Sequence, residues 1–190
     1  MINDIKSNKQ LVPYLENTIE DAGICVSISS EISEDKLVII KVDNYYAGLH
    51  EKIIPKAIDF LVVVDCECNT YAMYLLELKN VKGPKFLNLH DIQEKFANTI
   101  ADFLSCRFED IFLADKYKYR KILLYLVSDA YNIRGRYKNY DEYKRIMDKI
   151  NKKDSLKIER NLSGKLYKFK GKILRIQYDI PPNPIIRKFN

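Results

Sequence analysis

Residues 56–80, KAIDFLVVVDCECNTYAMYLLELKN, contain two apolar runs that are separated by a short polar segment. The runs span 58–64 and 71–78, both are rich in Val, Leu, Ile, Phe and Tyr, and CECNT lies between them. This pattern is typical of two β-strands joined by a short connection. The stretch therefore predicts a β-hairpin on which the rest of the fold is built.

Charged side chains interrupt this apolar pattern at Asp59 in the first run, and at Glu77 and Lys79 around the end of the second. A hairpin centred near Cys68 places Asp59 directly opposite Glu77, because the two residues are equally distant from the centre in sequence. Opposed side chains of an antiparallel pair are about 5 Å apart. Lys79 lies two residues beyond Glu77, so its side chain leaves from the same face.

Two carboxylates at this separation repel each other unless a cation lies between them. Hard oxygen ligands of this kind suit Mg²⁺ or Mn²⁺. An ammonium group beside the metal stabilises charge on a phosphate, or helps to orient and deprotonate a water molecule. Asp59, Glu77 and Lys79 therefore predict a metal-dependent site for phosphodiester hydrolysis.

The motif formed by Asp59 and by Glu77-Leu78-Lys79 at the end of the next strand resembles that of the PD-(D/E)xK nuclease superfamily. That family has the restriction-endonuclease-like fold. The resemblance implies that Asp59 and Glu77 bind the metal, that the backbone carbonyl of Leu78 assists, and that Lys79 is catalytic. Ile58 stands where the family motif has Pro.

An E-x-K triplet by itself is also typical of a surface ion pair on an edge strand, which contributes little to stability. Two features favour the site instead. The triplet ends a strongly apolar strand, where charges are costly, and Asp59 lies at the matching position of the other strand.

The flanking segments predict an α/β fold, with a central mixed β-sheet flanked by helices. In chain order they are a helix at 8–22, strands at 24–29 and 36–42, a loop at 42–56, the hairpin, a helix at 88–105, a short helix within 107–119 and a strand at 121–128. The last strand is apolar along nearly all its length, which is typical of a strand buried on both faces. This order matches the α-β-β-β-α-β core of the restriction-endonuclease-like fold, and the resemblance covers roughly residues 10–130.

The predicted first helix carries a candidate third acidic ligand. Leu11, Leu15 and Ile19 form its apolar stripe. In the resembling family the first helix often adds an acidic residue to the metal site, a role that Glu20 or Glu16 would take here. A solvated acidic face is the alternative.

Three further residues are candidates for substrate binding. Gln93 opens the run QEKFA on the helix at 88–105, where the resembling family often carries a Gln that faces the active site. Lys82 and Lys85 lie in a turn just beyond Lys79, where they can contact phosphate or remain solvated.

Beyond residue 130 the chain is rich in basic residues and tyrosines. We predict a nuclease-like core domain at 1–130 and a basic extension at 131–190, packed on the same domain. Arg134 and Arg136 lie in a segment that mixes basic residues with tyrosines, which suits contacts to phosphates and bases; a charged, solvated helix face is the alternative. The extension predicts a helix at 139–150 and strands at 166–171 and 173–179.

Composition limits the class of protein. The length of 190 residues suits one domain, and the net charge of +6 suits a polyanionic partner such as nucleic acid, although many other proteins carry such a charge. No apolar run approaches the ~20 residues of a membrane span. The four cysteines are Cys25, Cys66, Cys68 and Cys106; the pair at 66–68 lacks a second pair at zinc-site spacing, which predicts a hairpin turn with free thiols. We expect a soluble, cytoplasmic protein that does not act at a membrane.

The function predicted from sequence is a Mg²⁺- or Mn²⁺-dependent endonuclease that hydrolyses DNA, of the restriction, defence or repair type. A single site cuts one strand, so cleavage of both strands implies a homodimer or a larger complex. Two alternatives stay open. One is a catalytically inactive module that binds nucleic acid or protein. The other is an RNA endonuclease, because a two-carboxylate metal site neither requires nor forbids a 2′-hydroxyl.

Overall fold

The computed structural model describes residues 1–49, 51–132, 142, 145, 158, 160–162 and 164–189. In chain order its helices and strands are α1 (Ile2–Ser7), β1 (Leu15–Glu16), β2 (Glu20–Asp21), β3 (Ile24–Cys25), β4 (Leu37–Lys41), α2 (Val42–Ala47), β5 (Phe60–Asp65), β6 (Thr70–Lys79), α3 (Leu89–Asn98), a π-helical segment (Thr99–Arg107), α4 (Glu109–Phe112), β7 (Lys118–Ser128), β8 (Tyr167–Phe169), β9 (Lys172–Leu174) and β10 (Ile176–Asp179). Short 3₁₀ turns lie at Val12–Tyr14, Glu34–Lys36 and Pro84–Phe86.

Six strands form one mixed sheet in the order β1-β4-β5-β6-β7-β10. The pairs β1–β4, β4–β5 and β5–β6 are antiparallel, whereas β7 is parallel to both β6 and β10. Helix α3 and the π-helical segment supply the crossover between the parallel strands β6 and β7. The predicted α/β class, with a central mixed sheet flanked by helices, is confirmed.

The hairpin of β5 and β6 has the predicted register. Phe60 pairs with Leu76, and the pairing continues without a shift along β5. Asp59 directly precedes β5, so the next position along the register places it opposite Glu77.

Both faces of this hairpin are covered, which explains its nearly continuous apolar sequence. Alternate side chains, such as Leu61 and Leu75, enter a core shared with α1, α2, α3 and the π-helical segment. The intervening side chains, such as Val62 and Tyr74, enter a second core that includes Ile186 near the C-terminus. Because side chains alternate along a strand, Asp59, Glu77 and Lys79 continue the row on the α3 side.

The helix predicted at 8–22 is wrong. The α-helix in this part of the chain is α1, which precedes the predicted one, and the segment itself forms a 3₁₀ turn and the strands β1 and β2. Leu15 pairs with Ile40, so backbone groups here bond to β4 rather than within a helix. Ala22 and Gly23 then adopt positive φ angles of 49° and 76°, which reverse the chain between β2 and β3.

Two other predicted boundaries differ from the structure. The strand predicted at 24–29 is regular only at Ile24–Cys25, after which Ile28 forms an isolated bridge with Ile186. The loop predicted at 42–56 begins with helix α2, whose buried residues Val42, Tyr45 and Tyr46 follow the i, i+3, i+4 spacing of one helical face.

The other elements predicted within residues 51–132 and 164–189 are present. Asn88 caps α3, since its side chain accepts a hydrogen bond from the Asp91 amide, and helical structure continues to Arg107 with a change to π-helical turns. The strand predicted at 121–128 is β7, which lies between β6 and β10. The strand predicted at 166–171 is β8, whereas the single strand predicted at 173–179 is divided into β9, which pairs with β8, and β10, which joins the central sheet.

The structure describes one part of the predicted C-terminal extension and leaves another outside the described residues. β10 forms an edge of the central sheet beside β7. Arg134, Arg136 and most of the helix predicted at 139–150 lie outside the described residues.

The described part of the chain has no helix that is long and apolar enough to cross a lipid bilayer. Cys66 and Cys68 are free thiols, as predicted, and so are Cys25 and Cys106.

The hydroxyl of Tyr74 fastens the C-terminal segment to the sheet. It donates to the carbonyl oxygen of Arg187 (3.0 Å) and accepts from the Arg187 amide (3.1 Å), and Tyr74 is only 1% exposed. Burial raises the pKa of Tyr74 to about 12. Above pH 10 the unfolded chain therefore loses this proton more readily than the folded protein, so the free energy of unfolding falls as pH rises.

We expect Tyr74→Phe to reduce the free energy of unfolding at pH 8 by about 1–3 kcal/mol, because both Arg187 backbone groups lose their partner. The difference between wild type and variant should shrink by about 1.3 kcal/mol from pH 9 to pH 11. Urea denaturation across this pH range measures both quantities. Tyr14→Phe controls for loss of a tyrosine hydroxyl elsewhere, and a difference that stays constant with pH would contradict the expectation.

Candidate functional site

The predicted residues Asp59, Glu77 and Lys79 converge at the end of the sheet where β5 begins and β6 ends. Asp59 is 3% exposed and Glu77 is fully buried. Lys79, which is the last residue of β6, has a side chain that is about one-third exposed. The site is therefore a buried carboxylate pair with an ammonium group between it and solvent.

The two carboxylate oxygens of Glu77 have different surroundings. Oε1 lies 2.7 Å from the Nζ atom of Lys79 and 2.7 Å from the Nζ atom of Lys95 on α3. Oε2 is buried and has no hydrogen-bond partner among the described residues. A buried carboxylate oxygen without a partner is costly, so it marks a position where a cation or a donor would be stabilised.

Asp59 is held by the backbone of the opposite strand. Its Oδ2 atom accepts a hydrogen bond of 2.7 Å from the amide of Leu78. Its Oδ1 atom lies 3.8 Å from Nζ of Lys95. Both carboxylates therefore lie close to one lysine of α3, which sequence analysis did not identify as part of the site.

The pKa values report the cost of this burial. Burial raises the pKa of Asp59, although Lys95 and the Leu78 amide oppose the effect. Burial also raises the pKa of Glu77, and the charge of Asp59 adds to it. Burial by itself lowers the pKa of Lys79, but the nearby carboxylates outweigh it and leave that pKa raised. Lys79 is therefore an ammonium ion at neutral pH.

A second group of charges lies beside Asp59. Lys41, at the end of β4, has its Nζ atom 2.8 Å from Asp21 Oδ2 and 3.4 Å from Asp43 Oδ2. One carboxylate oxygen from each of Asp21, Asp43 and Asp59 lies within 4.8 Å of the others. Lys41 is also 4.2 Å from the ring centroid of Phe60, on the opposite face of the sheet from Lys95.

Sequence analysis missed Asp21 and Asp43. The available signal was Lys41, a charged residue at the end of an apolar strand, because a buried lysine requires acidic partners. The sequence did not indicate which acidic residues those were.

The donor set fits a small divalent cation. It consists of carboxylate oxygens, which are the ligands that Mg²⁺ and Mn²⁺ prefer. Asp59 and the Oε2 atom of Glu77 would hold the ion, and carboxylate oxygens of Asp21 and Asp43 lie within 4.8 Å of one of Asp59. The predicted contribution of the Leu78 carbonyl stays a prediction.

Glu20, the acidic residue predicted to assist, is exposed on β2, and Glu16 is exposed on β1. The neighbouring residue Asp21 has the carboxylate near Asp59. Asp21 rather than Glu20 is near Asp59 because this segment is a strand and not the predicted helix. Adjacent residues of a strand point in opposite directions.

The predicted substrate-binding residues are more widely spread. Lys82 lines an open cleft of about 450 Å³ at the ends of β6 and β7, together with Asn80. Lys85 is exposed and lies 5.0 Å from the ring centroid of Phe86. The side-chain nitrogen of Gln93 donates to the carbonyl of Asn161, so it holds the C-terminal part of the chain.

No family model, curated protein or solved structure matches the chain. A functional assignment for this protein therefore rests on the geometry and the charges of the site itself.

We expect Mn²⁺ or Mg²⁺ to raise the thermal stability of the wild-type protein relative to EDTA, because an ion bound only by the folded state stabilises it. At a concentration of 100 times the Kd the gain is about 2.7 kcal/mol. Glu77→Gln should abolish the gain, because it replaces a charged ligand. Differential scanning calorimetry measures the effect.

Glu94→Gln is the matched control for this measurement. Glu94 lies on α3 and pairs with Lys56 at the surface, so its loss should leave the metal-dependent gain intact. An equal gain in Glu77→Gln and wild type would contradict the assignment of Glu77 as a ligand.

Proposed function

We propose that the protein is a Mg²⁺- or Mn²⁺-dependent nuclease that hydrolyses phosphodiester bonds in DNA. One observation carries the proposal. Asp59, Glu77 and Lys79 converge at one end of the sheet, and Oε2 of Glu77 is buried there without a partner among the described residues. The chemistry needs two carboxylates for the metal and a cation for the phosphate, and the three residues supply them.

We also propose that the central sheet and its helices form a restriction-endonuclease-like core. The order β4, β5, β6, α3, β7 and the parallel pairing of β7 with β6 support it. In that core the acidic residues lie at the end of a central hairpin, which is where Asp59 and Glu77 lie in this chain.

A divalent ion bound here would polarise the phosphate and lower the pKa of a bound water molecule. The residues of the chain supply the remaining requirements. The Leu78 amide fixes the orientation of Asp59. The ammonium group of Lys79, at the solvent-facing side of Glu77, offers positive charge to a phosphate oxygen and orients the attacking water.

The net charge of +6 and the exposed residues Lys82 and Lys85 beyond β6 support a polyanionic substrate. Their contacts would be to the phosphate backbone, which positions a nucleic acid without reading its sequence. Cleavage of both DNA strands by one site requires a homodimer or a second active partner. Hydrolysis of RNA would use the same residues.

One observation favours a second candidate function. Lys95 already neutralises Glu77 and lies near Asp59, so the charges of the pair are balanced without a metal. A module of this fold that binds nucleic acid or protein without hydrolysing a substrate is compatible with that arrangement.

Incubation of supercoiled plasmid with the protein tests the proposal. We expect nicking or linearisation with Mg²⁺ or Mn²⁺ and none with EDTA. Asp59→Ala should abolish cleavage, and Lys79→Ala should reduce its rate at least about 100-fold, because a cation that acts on the transition state is lost. Single-stranded DNA and RNA substrates separate the alternatives.

Two variants at the opposite end of the hairpin serve as controls. Asp65→Ala matches Asp59→Ala at the end of β5, and Lys188→Ala, which removes a lysine that pairs with Glu67, matches Lys79→Ala. Both controls should cleave at the wild-type rate. Cleavage that persists in Asp59→Ala and Lys79→Ala would place the activity elsewhere, and metal binding without cleavage of any substrate would favour the binding module.

A further inference from the structure

Lys95 occupies an unusual position between the two buried carboxylates. Its Nζ atom lies 2.7 Å from Oε1 of Glu77 and 3.8 Å from Oδ1 of Asp59. Its side chain is only 16% exposed. A lysine at this depth is stabilised by the pair that it neutralises, and the pair in turn is stabilised by the lysine.

The distribution of charge around Glu77 is uneven. Lys79 and Lys95 both contact Oε1, whereas Oε2 has no partner among the described residues. Two ammonium groups on one oxygen repel each other, and one on each oxygen would satisfy the carboxylate better. Of the two, only Lys95 also approaches Asp59.

We propose that Lys95 is an internal cation that takes the place of a metal ion between Asp59 and Glu77, and that it must withdraw when a divalent ion binds. Lys95 thereby sets the metal affinity of the site. This inference rests on the metal-binding part of the proposed function but does not depend on hydrolysis.

Charge balance is the first argument for competition. Asp59, Glu77 and the adjacent Asp21 and Asp43 carry four negative charges, and Lys41, Lys79 and Lys95 carry three positive charges. A divalent ion added to this arrangement leaves one uncompensated positive charge in a largely buried site, which is unfavourable. Withdrawal of Lys95 removes this excess charge, so metal binding and the inward position of Lys95 oppose each other.

The structure also provides an alternative position for the lysine. Asp91 lies one turn earlier on α3, at the i, i+4 spacing where an acidic residue and a following lysine attract each other. The charge of Lys95 already contributes to lowering the pKa of Asp91. The long flexible stem of lysine allows its ammonium group to change partner without movement of the helix.

Titration of Mn²⁺ tests the inference, with the free ion followed by electron paramagnetic resonance. We expect Lys95→Met to lower the Kd for Mn²⁺ at least about tenfold relative to wild type. Lys95→Arg, which keeps the charge, should bind Mn²⁺ no more tightly than wild type. Lys188→Met is the matched control, because it removes a lysine that pairs with Glu67 at the opposite end of the hairpin; its Kd should stay within about twofold.

Thermal denaturation supplies a second measurement. In EDTA, Lys95→Met should unfold at a lower temperature than wild type, because the carboxylate pair loses a cation. Saturating Mn²⁺ should reduce or remove this difference in unfolding temperature. Mn²⁺ and the Lys95 ammonium group compensate the same two carboxylates, so the presence of one reduces the stabilisation that the other provides. Lys95→Gln, which keeps a hydrogen-bond donor, carries both comparisons if Lys95→Met does not fold.

An unchanged or higher Kd in both Lys95→Met and Lys95→Gln would overturn the inference, as would a lack of Mn²⁺ binding by every variant. Plasmid cleavage is scored separately. Tighter binding by the variants without cleavage would support the role of Lys95 while rejecting the nuclease. Plasmid cleavage by the wild type, together with a Kd for Mn²⁺ that the Lys95 variants do not change, would support the nuclease and reject the role of Lys95.

Discussion

The pairing of β5 with β6 is the constraint on which the rest of the structure depends. Its register places Asp59 opposite Glu77 at the buried end of the hairpin. A shift of one residue would turn every side chain of the shifted strand to the other face of the sheet, so the two apolar cores and the carboxylate pair are specified together. The fold cannot form its core without also bringing these two acidic groups together.

The surrounding elements offset the resulting electrostatic cost, and each contributes one lysine. Lys79 extends from β6 itself, Lys95 comes from α3, and Lys41 comes from β4 on the other face. All three oppose the effect of burial on the pKa of Asp59. Packing of α3 against the sheet therefore has an electrostatic component as well as an apolar one, because the helix supplies the cation nearest to both carboxylates.

The features that could be predicted from the sequence are those that depend on the spacing of neighbouring residues. The two-residue period and short connection of the hairpin set its register, so the convergence of Asp59, Glu77 and Lys79 could be inferred. The helix at 8–22 failed because pairing with β4 overrides an i, i+4 apolar stripe. Lys95 and Asp21 were missed because their proximity to the site depends on how distant segments pack, which the sequence pattern does not report. On α3 the side chain that contacts Glu77 is Lys95, whereas the side-chain amide of Gln93, two residues earlier, donates to the carbonyl of Asn161.

The contact of Tyr74 with Arg187 has a consequence for how the chain folds. It joins residues 113 positions apart and closes the second core over the outer face of the hairpin. During synthesis, β5 and β6 emerge from the ribosome long before the segment that covers them. The part of the outer face around Tyr74 then stays uncovered until translation has passed residue 187, whereas Ile19, Ile24 and Val26 of the same core precede the hairpin in the chain. The parallel pairs β6–β7 and β7–β10 add further long-range steps. A protein with such distant contacts folds slowly, and in the interval its most apolar strands are open to aggregation or to a chaperone.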